Sequence, residues 1–294
     1  MLAPMCWAHD GDNFMASDML ASMQPGDKAA LLMVHFGTTY DETRALTIDA
    51  INQKAKEIFK DMEVREAYTS RIVARRLKTR GIEKMNPTEA LEKLKADGYT
   101  HILIQSTNII EGVEMESLRK DVATLEKDFK DIRIGNPLLY TPHDFEDVIA
   151  AITKDGAKEG ATVLVGHGTY TPATAQYAMM DYMLHSKGYT DYHVATVEGY
   201  PSFDDMVAKL EAGKAKKVLL VPFMFVAGDH ANNDIAVDMK KELEGKGYQV
   251  SVFMQGLGQN PEIQDIFIDH ARFAAKHKMI NITDKKKAYA IEKD

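Results

Sequence analysis

The chain has 294 residues, 45% hydrophobic and 27% charged, the balance of an ordinary globular protein. Its 36 Lys and Arg against 44 Asp and Glu leave a formal charge of −8, so no excess of cations is available to displace phosphate counterions and nucleic acid is not the expected partner. Cys6 is the single cysteine, which excludes an internal disulfide framework and a cysteine-based zinc site, and no run approaches the roughly 18 to 20 apolar residues that a bilayer span needs.

In chain order, residues 1–26 contain no Lys or Arg and no clean apolar segment. They read as a flexible acidic extension rather than an intact secretory signal. A remnant left after removal of a signal stays open, so the expected location is cytoplasmic or periplasmic. Strands are expected near 29–36, 63–68, 100–106 and 131–135, and again near 161–166, 192–197, 217–226 and 249–253. Helical segments lie between them. Thr39 or Asp41 can cap a helix running to about Phe59. Pro87 opens another, which Gly98 ends. Tyr200-Pro201-Ser202 opens a third, Gly245 and Gly247 end a fourth, and Pro261 starts one reaching about His277. The stretch from Asp284, with Lys285-Lys286-Lys287, reads as a solvated tail. Strand-length apolar runs alternating with helical segments give an α/β protein built on parallel sheets covered by helices. The expected divisions are an extension at 1–26, lobes at 27–155 and 156–280, and a tail at 281–294.

The two lobes are expected because the chain repeats itself. Leu31 to Tyr40, with Phe36-Gly37-Thr38, is echoed by Val163 to Tyr170, with His167-Gly168-Thr169. Glu66-Ala67-Tyr68-Thr69-Ser70 is echoed by Glu198-Gly199-Tyr200-Pro201-Ser202, and Glu111 to Glu114 by Ala227 to His230. These echoes keep one order, at offsets of 131, 132 and 116 residues. A duplication of this kind predicts two similar lobes with a cleft between them. In open α/β sheets ligands sit beyond the carboxyl ends of the strands, where all six echoed segments fall.

The histidine pair is confined to one copy. His167 and His230 stand where the first half has Phe36 and Glu114. Each alone could be a hydrogen-bonded structural residue, but corresponding strand ends bring them together. With Glu198 they form a set of two imidazoles and a carboxylate, which suits a first-row divalent metal such as cobalt, nickel, iron or zinc. Asp229 could orient a ligand imidazole from behind. Glu114, the counterpart of His230, is the candidate proton acceptor, with Glu111 and Glu116 as neighbouring competitors. Between Arg71 and Arg80 lie five cations and no acid. Such a helix would attract a polycarboxylate, and a merely solvated face is the competing reading. His35, His101 and His193 fall inside strands and read as structural; His9, His143, His185, His270 and His277 carry no signal. There is no phosphate-binding loop, dinucleotide fingerprint, Ser nucleophile elbow or catalytic Cys.

Taken together, Phe36-Gly37-Thr38-Thr39, Gln105-Ser106 through Glu114, Gly166-His167-Gly168, Val197 to Pro201 and Pro222 through Asp234 resemble the class II tetrapyrrole chelatases. Within them, the likeness is to the long, single-chain anaerobic sirohydrochlorin cobaltochelatases (the CbiK family), over roughly residues 28–275. The resemblance implies that His167, His230 and Glu198 hold the metal and that Glu114 is a cleft acid, with Glu114 or His167 itself accepting a proton. It further implies ATP-independent insertion of cobalt(II), as substrate metal, into sirohydrochlorin or precorrin-2 on the anaerobic route to cobalamin. Iron, nickel or zinc would also bind, and no organic cofactor is expected. The substrate contacts are assigned to Phe36, Thr38, Arg71, Arg75 and Tyr200, the two arginines from charge alone. Two other readings remain open: a ferrochelatase or sirohydrochlorin ferrochelatase, and a periplasmic metal or haem carrier of the same fold. The extension before Lys28 is longer than the short start usual in cytoplasmic members. A homo-oligomer is neither required nor excluded.

Overall fold

The computed structural model describes residues 13–291, so the expectations for Cys6, His9 and the rest of residues 1–12 lie outside it. Two four-stranded, all-parallel sheets form the framework. The first contains β2 (Ala29–His35), β3 (Glu63–Tyr68), β4 (His101–Ser106) and β5 (Asp131–Ile134), after a short β1 (Phe14–Ala16) that lies outside it. The second contains β6 (Ala161–Gly168), β7 (Tyr192–Glu198), β8 (Lys217–Pro222) and β9 (Gln249–Val252). Their spatial orders, β3-β2-β4-β5 and β7-β6-β8-β9, are the same when the second set is laid over the first. The duplication read from sequence is therefore a duplication of topology.

Alternation along the strands explains how the sheets are covered on both faces. Leu31, Met33 and Leu103 point into a large apolar cluster that also takes Leu164 and Val194 of the second sheet. Ala30, Leu32, Val34, Ile102 and Ile104 point the other way, into a cluster of the first sheet alone. Val163, Val165, Val218 and Leu220 fill its counterpart on the second. The inner cluster ties the lobes together, and Phe145 and Phe267 are buried in it. Removing a large buried side chain of this kind costs about 3–5 kcal/mol.

The helices are α1 (Asp41–Arg44), α2 (Ala50–Ile58), α3 (Arg71–Lys78), α4 (Pro87–Ala96), α5 (Val113–Leu125), α6 (Pro142–Ile152), α7 (Ala175–Ser186), α8 (Phe203–Ala212), α9 (Lys240–Gly245), α10 (Pro261–Lys276) and α11 (Ile282–Ile291). Local chemistry sets several starts. Asn86 and Glu89 form a capping box at α4, as do Thr141 and Asp144 at α6 and Ser202 and Asp205 at α8. Pro87, Pro142 and Pro261 each sit in the first turn, where the missing N–H is not needed.

The structure corrects three expectations. From Phe14 the extension is part of the fold rather than a free tail. β1 pairs antiparallel with β10 (His277–Met279), Met19 is fully buried, and Arg133 donates to the Ser17 carbonyl. The C-terminal stretch, expected only to be solvated, is helical over α11. The strand expected at 217–226 ends at Pro222, and the amides of Leu257 and Gly258 bond Met224 and Phe225 instead. Tyr40 occupies the α1 N-cap with no side-chain cap, because Thr38 accepts the Tyr40 amide and Asp41 already lies inside the helix. In addition, α10 belongs by sequence to the second half but packs on β4 and β5 of the first sheet. Arg133 of β5 donates to the carbonyls of Ala274 and Ala275 at its end. Among the described residues no helix is long and apolar enough to cross a membrane.

Candidate metal centre and active site

Each metal-ligand candidate stands at the carboxyl end of a second-sheet strand or in the segment that follows. His167 is the penultimate residue of β6 and Glu198 is the last of β7. His230 follows β8 by a loop and caps a segment wound as a π-helix over Ala231–Met239, a winding often found at functional sites. The His167 and His230 rings lie 4.6 Å apart, centre to centre, and nearly perpendicular at 85°. His167 Nδ1 is 3.5 Å from Glu198 Oε1. His167 thus lies beside both His230 and Glu198.

The backbone allows this approach through Gly168, whose φ is +89° and where a Cβ would fall 1.5 Å from the Glu198 carbonyl oxygen. Its echo, Gly37, has φ +98°, with a Cβ position 2.4 Å from the Tyr68 ring. No L side chain fits either place, so the same tight strand end is built twice.

Hydrogen bonding fixes how the imidazoles present themselves. His167 Nδ1 lies 3.1 Å from the Gly168 carbonyl oxygen, and His230 Nδ1 lies 2.7 Å from Asp234 Oδ2. A carbonyl can only accept, and a carboxylate favours the same arrangement, so each Nδ1 carries the hydrogen and each Nε2 keeps its lone pair. The His167, His230 and Glu198 side chains are 42%, 43% and 57% exposed, which leaves them reachable from the cleft. Asp234 therefore orients His230, and Asp229, expected in that role, does not. Asp229 instead pairs with Arg76 of α3 at 2.8 Å, and burial together with the Asp229 carboxylate pushes the Tyr40 phenol up. The sequence signal for Asp234 was its spacing of four from His230 on one helix face.

Residues of the first lobe reach the segment just before His230: Arg76 bonds Asp229, and the Thr38 hydroxyl lies 3.7 Å from the Cβ position of Gly228. Glu114 lies in the first turn of α5, which follows β4 as the His230 segment follows β8. Its competitors are already engaged: Glu111 holds Arg119 through two bonds of 2.7 and 3.1 Å, and Glu116 holds Lys120 at 2.6 Å. Among the described residues Glu114 has no cationic partner. Phe36, Tyr40 and Tyr200 are 43%, 38% and 53% exposed, which gives the strand ends an aromatic rim. Arg71 and Arg75 are exposed on α3 with no acidic partner among the described residues, whereas Arg76 and Arg80 are taken by Asp229 and Asp41. Thr38 is only 3% exposed and its hydroxyl accepts the Tyr40 amide; it holds its loop. The lobes are also pinned across the cleft by Gln176 of α7, which accepts the Glu111 amide and donates to the Leu139 carbonyl. Sequence reading gave no sign of Gln176.

The expected structural histidines in the first lobe behave as such. His35 is buried between Thr107 and Asn52, each 3.0 Å away, and burial pushes its pKa down. His101 is buried beside the Thr100 hydroxyl. His270 of α10, which carried no sequence signal, meets Asn136 and Asp144 inside the shared core.

Two duplicated parallel sheets, with an imidazole pair and a carboxylate at or just beyond the strand ends of one of them, make up the architecture. The chain belongs to the cobalt chelatase (CbiK) family, whose sequence profile matches residues 29–276. It is therefore a metal-inserting enzyme of the lyase class. It is 35% identical over 251 residues to the sirohydrochlorin cobaltochelatase of Salmonella typhimurium, covering 83% of this chain and 95% of that one. It is 30% identical over 256 residues to the sirohydrochlorin cobaltochelatase CbiKC of Nitratidesulfovibrio vulgaris, covering 84% and 90%. Its fold is similar to that of SirB from Bacillus subtilis with Fe3+, with a TM-score of 0.61 at 16% identity over 84% of this chain and 96% of that one.

Proposed function

We propose that the protein inserts cobalt(II) into sirohydrochlorin, or its precorrin-2 form, without ATP. His167 and His230 present the ion through Nε2, and Glu198 completes the set. The supporting observation is the pair of imidazoles at 4.6 Å with both Nδ1 atoms committed to oxygen acceptors. That arrangement holds a divalent metal without further deprotonation. The half-exposed donors leave open positions, as a site must that hands its ion to another ligand.

Insertion exchanges two pyrrole N–H protons for one dication, so charge balances and nothing is oxidised. As the metal–nitrogen bonds form, two N–H bonds break, and the protons need an acceptor in the cleft. Glu114, whose carboxylate is not neutralised by a neighbouring cation, accepts the protons one at a time, releasing the first to solvent before taking the second. Phe36 and Tyr200 offer flat apolar faces to the macrocycle. Arg71 and Arg75 hold its peripheral carboxylates, with a negative overall charge keeping that cationic helix distinctive. Thr38 serves by fixing the loop that carries Phe36. Two imidazoles and a carboxylate also accept iron(II), nickel(II) or zinc(II), so supply and the macrocycle decide the metal.

The test is anaerobic incubation with sirohydrochlorin and either cobalt(II) or iron(II), followed by absorbance. Cobalt insertion by the wild type, abolished in His167→Ala and His230→Ala, is the expected result. Wild-type rates in both variants would remove the imidazole pair from the mechanism. Faster insertion of iron than of cobalt would move the assignment to a ferrochelatase.

A further inference from the structure

At the other end of the second sheet stands a second group of metal-binding side chains. Asp181 and His185 are four residues apart on α7 and share one face of it. His193 is the second residue of β7, the strand against which that face packs. One ligand atom from each of the three lies within 4.8 Å of the others. The two imidazoles are 5.4 Å apart and perpendicular, at 89°. His185 Nε2 lies 2.6 Å from the Tyr192 carbonyl oxygen, so it carries the hydrogen and Nδ1 keeps a lone pair. Independently, His193 Nδ1 is buried with no hydrogen-bond partner. Such orphaned polar atoms are rare in native proteins and call for an explanation.

We propose that Asp181, His185 and His193 form a second divalent-metal site, suited to zinc, cobalt or nickel and separate from the cleft. Two imidazoles with one carboxylate select these ions over magnesium or calcium, which prefer all-oxygen shells. Water fills the remaining position of a tetrahedral set. The site is structural. His193 and Glu198 lie five residues apart on one strand, about 16 Å at the usual rise, so an ion here is out of reach of a macrocycle in the cleft. What it does is clamp α7 to β7. The same helix sends Gln176 across to the first lobe and packs Tyr177 beneath Gly166, beside His167.

The charged neighbours set the conditions for loading. Asp181 Oδ1 accepts the Val194 amide at 2.9 Å, and Oδ2 accepts Lys209 of α8 at 2.5 Å. Lys209 is 38% exposed while the Asp181 carboxylate is 9% exposed, so the ammonium can swing to solvent as the ion takes Oδ2. Lys209 is thus a built-in competitor with the metal.

The site is tested in the full-length His167→Ala/His230→Ala double variant, so that the outcome does not depend on the cleft reading. After incubation with cobalt(II) or zinc(II) and desalting, this protein should retain one ion, with the visible bands of tetrahedral cobalt(II). Adding His185→Ala and His193→Ala should remove it, while Lys209→Met should tighten binding several-fold. Lys209→Met needs no buried group removed, so it serves if the histidine variants fold poorly. Absence of a retained ion in the double variant, or its survival without His185 and His193, would overturn the proposal. So would unchanged affinity in Lys209→Met.

Discussion

Replacing Asp234 by Asn is the sharpest probe of how the cleft holds its ion. The carboxylate accepts from His230 Nδ1 at 2.7 Å and so fixes the tautomer that leaves Nε2 unprotonated. An amide can turn its N–H2 toward Nδ1, which favours the other tautomer and protonates Nε2, the ligand atom. Loss of a partner behind a metal-ligating histidine costs about 10- to 100-fold in affinity or activity. Here the two side chains are 43% and 33% exposed, so water can partly replace the acceptor. The lower bound applies, about tenfold or ~1.4 kcal/mol. In steady-state insertion assays the KM for cobalt(II) should therefore rise about tenfold, with the KM for the tetrapyrrole unchanged and the far-UV circular dichroism that of the wild type. Asp229→Asn should leave cobalt affinity alone, because Asp229 is held by Arg76. Wild-type cobalt affinity in both Asp234→Asn and Asp234→Ala would refute the argument.

Gly168→Ala should destabilise the protein and cut cobalt binding, since its Cβ would collide with the Glu198 carbonyl. Gly188→Ala, at φ +93° with nothing within 4 Å, should lose only the conformational term of about 1–2 kcal/mol. Thermal unfolding and metal titration separate the two. Arg71→Ala and Arg75→Ala should each raise the KM for sirohydrochlorin by up to about fivefold, because exposed ion pairs contribute at most about 1 kcal/mol, and added salt should shrink the difference. Glu114→Gln should lower kcat by about 100-fold or more while cobalt affinity is retained; an unchanged kcat would return the proton to another acceptor. Burial pushes the Asp144 carboxyl up, but the hydrogen bond and charge of His270, with the Thr141 cap, outweigh it and hold it below 3.8. A depressed folded pKa stabilises above the unfolded value, and that contribution disappears as pH falls through the folded one. Urea unfolding should find Asp144→Asn less stable than wild type at neutral pH, with the gap closing below about pH 4.

The strands of both sheets could be read because buried parallel strands need unbroken apolar runs, and Ala29–His35 and Ala161–Val165 are such runs. Pro87, Pro261 and the Ser202 cap marked helix starts for a similarly local reason. The proposed ligand set rests on the echo, as aligning the two halves placed His167, Glu198 and His230 at or beyond corresponding strand ends before any distance was known. Asp229 was the neighbour that sequence suggested, but adjacency is a poor guide to which carboxylate meets an imidazole. The π-helical segment after His230 points Asp234 at Nδ1 and leaves Asp229 facing Arg76. His185 and His193 carried no signal singly, since a helix position and a strand position meet only once the helix has docked.

What the chain by itself determined was a twice-repeated β/α unit, its strand ends and the donor types gathered there, because periodicity, capping and duplication are written in neighbouring residues. Tertiary packing alone decided that α10 crosses back onto the first sheet, that Gln176 pins the lobes and that residues 14–19 enter the fold. These features depend on contacts between residues tens to hundreds of positions apart. Burial and hydrogen-bond satisfaction choose such partners only after the chain has closed on itself.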